Sequence, residues 1–310
     1  MKKHYYSNGK LLVTGEYAVL DGALSLALPT KYGQSLNISP KEGEYIVWKS
    51  YTHTKEIWFE TIFELADIIH YVPVSRTSST IAKASVRETL LRILNAAYQL
   101  NSNFLNNTKG LLVETHLNFP RDWGLGSSST LINNIAQWAQ VDAFKLLWDS
   151  FAGSGYDIAC AQHKTPILYH LKKDIPVVEA VRFDPPFKNQ LYFIHLNQKQ
   201  NSRDGIAQYR EKEFNLPHLI STVNEITKNL LKCQDLKEFN SLIDKHERLI
   251  ADNLQMETVK AKQFPDFPGS IKSLGAWGGD FILATGTKET LNYFNKKGFK
   301  TVIPYSEMIL

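Results

Sequence analysis

The stretch Pro120-Arg121-Asp122-Trp123-Gly124-Leu125-Gly126-Ser127-Ser128-Ser129-Thr130 decides how this chain is read. A strand-like run over 110–117 leads into it, and a helix is expected from about Ser129. Leu131, Ile135, Trp138 and Ala139 recur at i, i+4, i+7 and i+8, which buries one helical face. Two glycines let the backbone approach a ligand closely, and the N–H groups of a helix start attract an anion. The serine hydroxyls add groups that suit a phosphate oxygen or a magnesium ion. Residue types alone leave two readings level: a triphosphate cradle, and an ordinary turn with a serine cap. The segment is not a Walker A loop, because no lysine follows its last glycine. It is also a poor dinucleotide fingerprint, since Ser129 stands where a third glycine belongs.

Three further segments bear on the choice. They are Gly9-Lys10-Leu11-Leu12-Val13-Thr14-Gly15-Glu16-Tyr17-Ala18-Val19-Leu20-Asp21-Gly22, Gly153-Ser154-Gly155-Tyr156-Asp157-Ile158-Ala159 and Ser273-Leu274-Gly275-Ala276-Trp277-Gly278-Gly279-Asp280-Phe281-Ile282-Leu283. Together with the serine turn, and in this order, they resemble the motifs of the GHMP kinases, small-molecule kinases named for galactose, homoserine, mevalonate and phosphomevalonate. The family's middle motif, P-x-x-x-G-L-G-S-S, is matched from Pro120 to Ser128 at every fixed position. Its last, G-A-G-G-G, is matched apart from Trp277. The resemblance covers nearly the whole chain. It implies a two-domain α+β fold with ATP and substrate in the interdomain cleft, ATP and Mg2+ as cofactors, and an acceptor of the mevalonate or 5-phosphomevalonate type.

By the same resemblance, Pro120, Trp123, Gly124, Leu125, Gly126, Ser127, Ser128 and Ser129 would line ATP, with Ser128 also reaching the metal. Asp157 would be the base that receives the acceptor's hydroxyl proton. Read locally, Ser154 and Asp157 also suit a capping box, and a carboxylate bound to backbone N–H groups is a weaker base. Lys10 would stand beside the reacting hydroxyl, where an ammonium stabilises transition-state charge; a solvated lysine at a strand start is the plainer alternative. Glu16 and Tyr17, expected on the same strand as Lys10, would face the acceptor with Gly155, Gly275, Ala276 and Gly278. Lys199 and Arg203 lie in a basic loop over 195–210 that suits an anionic acceptor, and suits solvent equally well.

Two departures stand out. Leu146 occupies the position where the mevalonate branch carries a magnesium-site glutamate, and Asp149 is the nearest carboxylate upstream of Asp157. Trp123 and Trp277 replace small residues; they are expected to pack on each other or against the nucleotide, or simply to fill gaps. Tyr17 and Asp280 bring the resemblance nearer to the phosphomevalonate branch, since the mevalonate branch typically has histidine at the Tyr17 position.

Composition sets wider bounds. A chain of 310 residues has length for two domains, expected as an ATP-binding part over 1–186 and a GHMP-kinase part over 187–310, with turn-rich 184–189 at the boundary. The 43% apolar fraction is ordinary for a globular protein, and no run has the length and apolarity of a membrane span. The basic start lacks a signal peptide's apolar core, so a cytoplasmic protein is expected. Cys160 and Cys233 read as reduced packing residues. A net charge of +4 is too weak to argue for nucleic acid and suits a small acceptor with a hydroxyl or phosphate and a carboxylate. A homodimer is compatible with these features. Strands are expected over 10–19, 35–38, 166–171, 191–196, 281–285 and 300–303, with a hairpin over 45–59. Helices are expected over 83–98, 156–162, 205–213, 219–232, 236–253 and 288–297. This order argues for α+β rather than a doubly wound sheet. A sugar kinase of the same superfamily, and a catalytically idle binding protein on the same fold, are the rival readings.

Overall fold

A computed structural model describes residues 2–72, 85–106, 109–198, 202–275, 277 and 279–310, with backbone alone at 202–204. The chain forms two compact units, neither continuous in sequence. The first comprises Met1–Gly9, Tyr32–Arg121 and Gly126–Gln162; the second comprises Lys10–Lys31, Asp122–Leu125 and His163–Leu310. The turn-rich segment 184–189 lies inside the second unit. Strands β1 (Lys3–Leu12) and β2 (Ser25–Pro40) each contribute to both.

In the first unit, β3 (Tyr45–Tyr51) and β4 (Ile57–Glu64) form the expected hairpin. Helices α1 (Leu65–Ile69) and α2 (Val86–Leu100) follow, then β5 (Leu111–Leu117). Strand β5 runs parallel to β3 and antiparallel to the later half of β2. Helix α2 starts where Ser85 accepts the Glu88 N–H at 3.1 Å. Its buried stripe contains Leu90, Ile93, Leu94 and Ala97, but Val86, expected there too, is 44% exposed in the first turn, beside exposed Arg87. Positions 83 and 84 of the expected helix lie outside the described residues.

Three helices complete this unit: α3 (Ser127–Ala139), α4 (Ala143–Ser150) and α5 (Tyr156–Gln162). Helix α3 is buried on more than the expected stripe. Ile132 and Ala136 join Ile135, Trp138 and Ala139 in the core, while Leu131 is only partly buried. Helix α4 is capped by Asp142, which accepts the Phe144 and Lys145 N–H groups.

In the second unit the expected strand over 10–19 stops at Leu12. Glu16 and Tyr17 therefore lie off the strand, in a turn leading to a 3-10 helix at Ala18–Asp21. The apolar pattern continues through Val19, but positive φ at Gly15 (92°) and Tyr17 (60°) breaks the extended backbone. The early part of β2 pairs with β6 (Ile167–Lys172), which forms a hairpin with β7 (Ile175–Ala180), a strand the sequence reading missed.

The rest of the unit holds β8 (Leu191–His195), α6 (Ser202–Glu211), α7 (Leu216–Lys232), α8 (Leu236–Leu254), α9 (Val259–Gln263), β9 (Ile271–Leu274), β10 (Phe281–Thr285), α10 (Glu289–Lys296), β11 (Val302–Pro304) and α11 (Tyr305–Met308). Its sheet runs β11-β8-β10-β9, antiparallel throughout. Ile194 and Ile282 pack with Phe264, Phe267 and Phe294 in one cluster. A second cluster joins Leu219 and Val223 of α7 to Ile250 and Leu254 of α8. Cys160 and Cys233 are both buried. Among the described residues no helix is long and apolar enough to cross a membrane.

Candidate active site

The serine turn ends in an open helix start. Gly126 is the N-cap residue of α3, at φ 90° and ψ 42°, and no side chain caps the helix. Two nearby hydroxyls are already committed. Ser129 Oγ donates to the Gly126 carbonyl at 2.9 Å, and Thr130 Oγ1 lies 2.8 Å from Gln34 Oε1 and 3.0 Å from the same carbonyl. The hydroxyls of Ser127 and Ser128 make no hydrogen bond among the described residues, and Ser128 is exposed. A 13-residue helix thus presents uncapped N–H groups and two uncommitted hydroxyls. That arrangement fits phosphate oxygens.

Helix α5, which carries Asp157, is tied to α3 by a polar chain whose inner members, Ser7, Asn133 and Asn134, are buried. Gln162 Nε2 donates to Asn133 Oδ1 at 3.1 Å, Asn133 Nδ2 to Ser7 Oγ at 2.9 Å, and Ser7 Oγ to Asn134 Oδ1 at 2.7 Å. The Asn134 amide then reaches the Gln34 carbonyl at 2.9 Å. Each buried polar group has a partner, so the chain fixes how the two helices sit. Asp157 is partly buried, with its Oδ1 3.1 Å from the Ile158 N–H. Gly155 is buried at φ 91°, and its carbonyl accepts the Ala159 N–H in the first turn of α5.

In the second unit Lys10 holds the Gly124–Leu125 segment twice. Its N–H donates to the Leu125 carbonyl at 3.0 Å, and its Nζ donates to the Gly124 carbonyl at 2.8 Å. Gly124 has φ 63°, and a Cβ there would fall 2.2 Å from the Asp280 carboxylate. Gly275, at φ 71°, also lies near this ammonium: a Cβ on it would be 3.7 Å from Lys10 Nζ. Trp123 stacks edge-on against Phe281 at 5.4 Å, with His195 at 6.2 Å. Trp277 instead is 3% exposed, in the cluster around Tyr17 and Tyr209. The two tryptophans pack against different neighbours, so of the expected alternatives mutual packing is not the one formed.

Beneath this lies a sealed ionic cluster. Lys272 Nζ is 2.6 Å from Glu16 Oε1 and 3.2 Å from Glu247 Oε2, and Glu247 also accepts the Ser273 N–H and hydroxyl. His246 Nε2 accepts the Gly15 N–H at 3.0 Å, which leaves the ring proton on Nδ1. Burial pushes the Glu16 carboxyl up to about 7 against the pull of Lys272. Burial alone would lower the Lys272 ammonium, but Glu16 and Glu247 hold it above the ordinary lysine value. Burial, then repulsion from Lys272, keeps His246 well below the usual imidazole range.

Neither a protein-family model nor a curated protein matches the sequence. Solved structures do match in shape. Methanococcus jannaschii mevalonate kinase aligns with a TM-score of 0.70 at 15% identity, over 98% of this chain and 97% of that one. Streptococcus pneumoniae phosphomevalonate kinase, in complex with phosphomevalonate and AMPPNP, gives 0.67 at 15%, over 99% and 98%. Lactococcus lactis galactokinase complexed with galactose gives 0.67 at 12%, over 95% and 88%. The chain has the GHMP kinase fold. Identities this low carry the architecture and leave the acceptor open.

Within this GHMP kinase fold the expected site residues divide. Gly126, Ser127, Ser128, Ser129, Asp157 and Gly155 gather on α3, α5 and their leading turns in the first unit. Pro120 is also in that unit, followed by Arg121, whose guanidinium lies 3.5 Å over the Trp58 ring centroid. Lys10, Trp123, Gly124, Leu125 and Gly275 gather in the second. Glu16 and Tyr17 are 1% and 7% exposed. Lys199, Ala276 and Gly278 lie outside the described residues, and of Arg203 only the backbone is described, within α6.

The magnesium question turns on donors. Leu146 is fully buried in the apolar core, so no carboxylate stands at that position. Asp149 is exposed at the end of α4. Among the described residues no group of three or more His, Cys, Asp or Glu side chains is placed to hold a metal. The Ser128 hydroxyl fits an ion carried chiefly by phosphate oxygens and water. Sequence reasoning missed Lys272, Glu247, His246 and the Ser7–Asn133–Asn134 chain.

Proposed function

We infer that this protein is an ATP-dependent small-molecule kinase of the mevalonate-pathway type, transferring the γ-phosphoryl group to mevalonate or 5-phosphomevalonate. The observation that carries this reading is the start of α3: an uncapped helix with Ser127 and Ser128 hydroxyls uncommitted among the described residues, entered through left-handed Gly124 and Gly126. Phosphoryl transfer asks a protein mainly to position the acceptor and neutralise phosphate charge. The helix start and the two serines would hold phosphate oxygens, and Ser128 would also help hold a magnesium ion. That ion would withdraw charge from the transferring group.

Asp157 would accept the acceptor's hydroxyl proton, and the polar chain through Asn133 and Gln162 keeps its helix in place relative to α3. Lys10 would lower the hydroxyl's pKa and offset developing charge. Lys199 and Arg203 would meet the acceptor's anionic groups. The cytoplasm is the compartment this reading expects.

An idle nucleotide-binding protein is the second reading, favoured by Leu146 lying in the core and by the lack of a carboxylate metal cluster among the described residues. The test is magnesium-dependent ADP release from ATP with mevalonate, 5-phosphomevalonate and galactose, using wild type beside Asp157→Asn. Acceptor-dependent release that falls about 10²–10⁴-fold in the variant is expected. ATP binding with no release for any acceptor would instead support the idle protein.

A further inference from the structure

Tyr17 is the centre of a tight turn: the Ala18 N–H donates to the Glu16 carbonyl at 2.7 Å, with Tyr17 at φ 60° and ψ −47°. A γ-turn of this hand is rare and strained for a residue bearing a Cβ, and persists only where its surroundings over-determine it. Here two anchors do so. On one side Lys272 grips Glu16 at 2.6 Å; on the other the Trp277 N–H donates to the Tyr17 hydroxyl at 3.0 Å. Lys272 lies in β9 and Trp277 in the turn after it, so the anchors bracket Gly275 on one continuous piece of chain.

The Tyr17 ring is itself locked from behind. It stacks on Tyr209 with centroids 5.6 Å apart and planes 18° apart. Asp21 fixes Tyr209 by accepting its hydroxyl at 2.6 Å, and accepts Arg210 on its other oxygen at 2.6 Å. Helix α6 adds a backstop, since a Cβ on Gly205 would sit 2.4 Å from the Tyr17 hydroxyl. The anchored piece of chain carries Gly275, where a Cβ would be 3.7 Å from Lys10 Nζ.

We propose that Tyr17 is a positioning residue, bracing the turn around Gly275 and Trp277 beside the Lys10 ammonium rather than touching the acceptor. Its hydroxyl accepts the Trp277 N–H, its ring stacks on Tyr209, and 7% of the residue reaches solvent. The brace stands on geometry within one unit; only its effect on rate rests on the kinase reading.

Tyr17→Phe keeps the ring and removes the acceptor of the Trp277 N–H. In protein labelled with 15N-tryptophan, amide exchange at Trp277 should accelerate about tenfold or more while circular dichroism is unchanged. Gly205→Ala, which presses on the hydroxyl without altering Tyr17, should accelerate the same amide. With an acceptor that turns over, kcat of Tyr17→Phe should fall about tenfold while acceptor KM stays within about twofold, because a displaced turn misplaces the Lys10 charge in the transition state. Unchanged Trp277 exchange in Tyr17→Phe would overturn the brace. A raised acceptor KM with kcat preserved would overturn the positioning role and make Tyr17 a substrate contact. If wild type turns over no acceptor, the kinase reading fails, and the exchange result alone decides the brace.

Discussion

Lys272 Nζ lies 2.6 Å from Glu16 Oε1, with both side chains sealed from solvent and 256 residues apart in sequence. Glu247 completes the cluster at 3.2 Å, so two carboxylates share one ammonium. Removing one partner of a buried ion pair strands the other charge without water, which typically costs roughly 3–5 kcal/mol. Lys272→Met should therefore lower unfolding free energy by about that amount in urea titrations, and adding Glu16→Gln should recover a large part of it. A loss in Lys272→Met below about 1 kcal/mol would mean that the cluster adds little to stability.

The same cluster makes stability depend on pH in opposed ways. Glu16 is raised from an ordinary 4.5 to about 7, so it binds its proton more tightly folded than unfolded. Its contribution is fully present below 4.5 and is lost as pH rises towards 7. His246 is lowered below 6.5, so its contribution is present above that value and is lost as pH falls. The two slopes oppose each other between 4.5 and 6.5, and wild type alone will show little. The informative quantity is the stability of wild type minus that of Glu16→Gln. It should fall steadily from about pH 4.5 to about pH 7. The corresponding difference for His246→Gln should rise over the acidic part of that range. A flat difference for Glu16→Gln would place the Glu16 carboxyl in its ordinary range.

What the sequence revealed and what it hid follow from where the information sits. The serine turn was readable because glycines at 124 and 126, and serines at the helix start, are local choices forced by backbone conformation. The sealed cluster was not, because a lysine in a four-residue strand reads as a solvated edge and its partners are distant in sequence. One signal was present: Glu247 stands on the stripe of α8 that also carries Phe239, Ile243, Ile250 and Leu254. A carboxylate on a buried stripe needs a buried cation. The strand expected through Glu16 and Tyr17 failed for a related reason. Val13, Ala18 and Val19 prolong the apolar pattern, whereas the turn is imposed by Lys272, Trp277 and Tyr209 from elsewhere in the chain.

Gly124 tests whether close approach matters at the serine turn. An alanine in its left-handed conformation costs roughly 1–2 kcal/mol. Its Cβ would also fall 2.2 Å from the Asp280 carboxylate. The Asp280 main chain is held, its N–H donating to the Gln198 carbonyl and its carbonyl accepting the Leu196 N–H, so relief requires the carboxylate itself to rotate away. Gly124→Ala should weaken ATP binding about tenfold or more by calorimetry. Adding Asp280→Ala should relieve the clash and leave the conformational cost. Wild-type ATP affinity in Gly124→Ala would separate this turn from the nucleotide.

Lys10 carries the sharpest prediction, because its two parts can be dissected. Its backbone N–H holds the Leu125 carbonyl whatever the side chain is, while its Nζ holds the Gly124 carbonyl at 2.8 Å. Lys10→Met should then have two separable effects. ATP affinity should drop by a few-fold, in line with one lost hydrogen bond of about 1 kcal/mol. Independently, kcat should fall about 10²–10³-fold, as removal of a charge-stabilising donor does elsewhere. Lys10→Arg keeps a cation and a donor but replaces a point charge with a planar fork. It should restore most of the ATP affinity and little of kcat. Calorimetry for ATP and acceptor-dependent ADP release read the two effects separately, and an unchanged kcat in Lys10→Met would reduce Lys10 to an anchor for the Gly124 carbonyl.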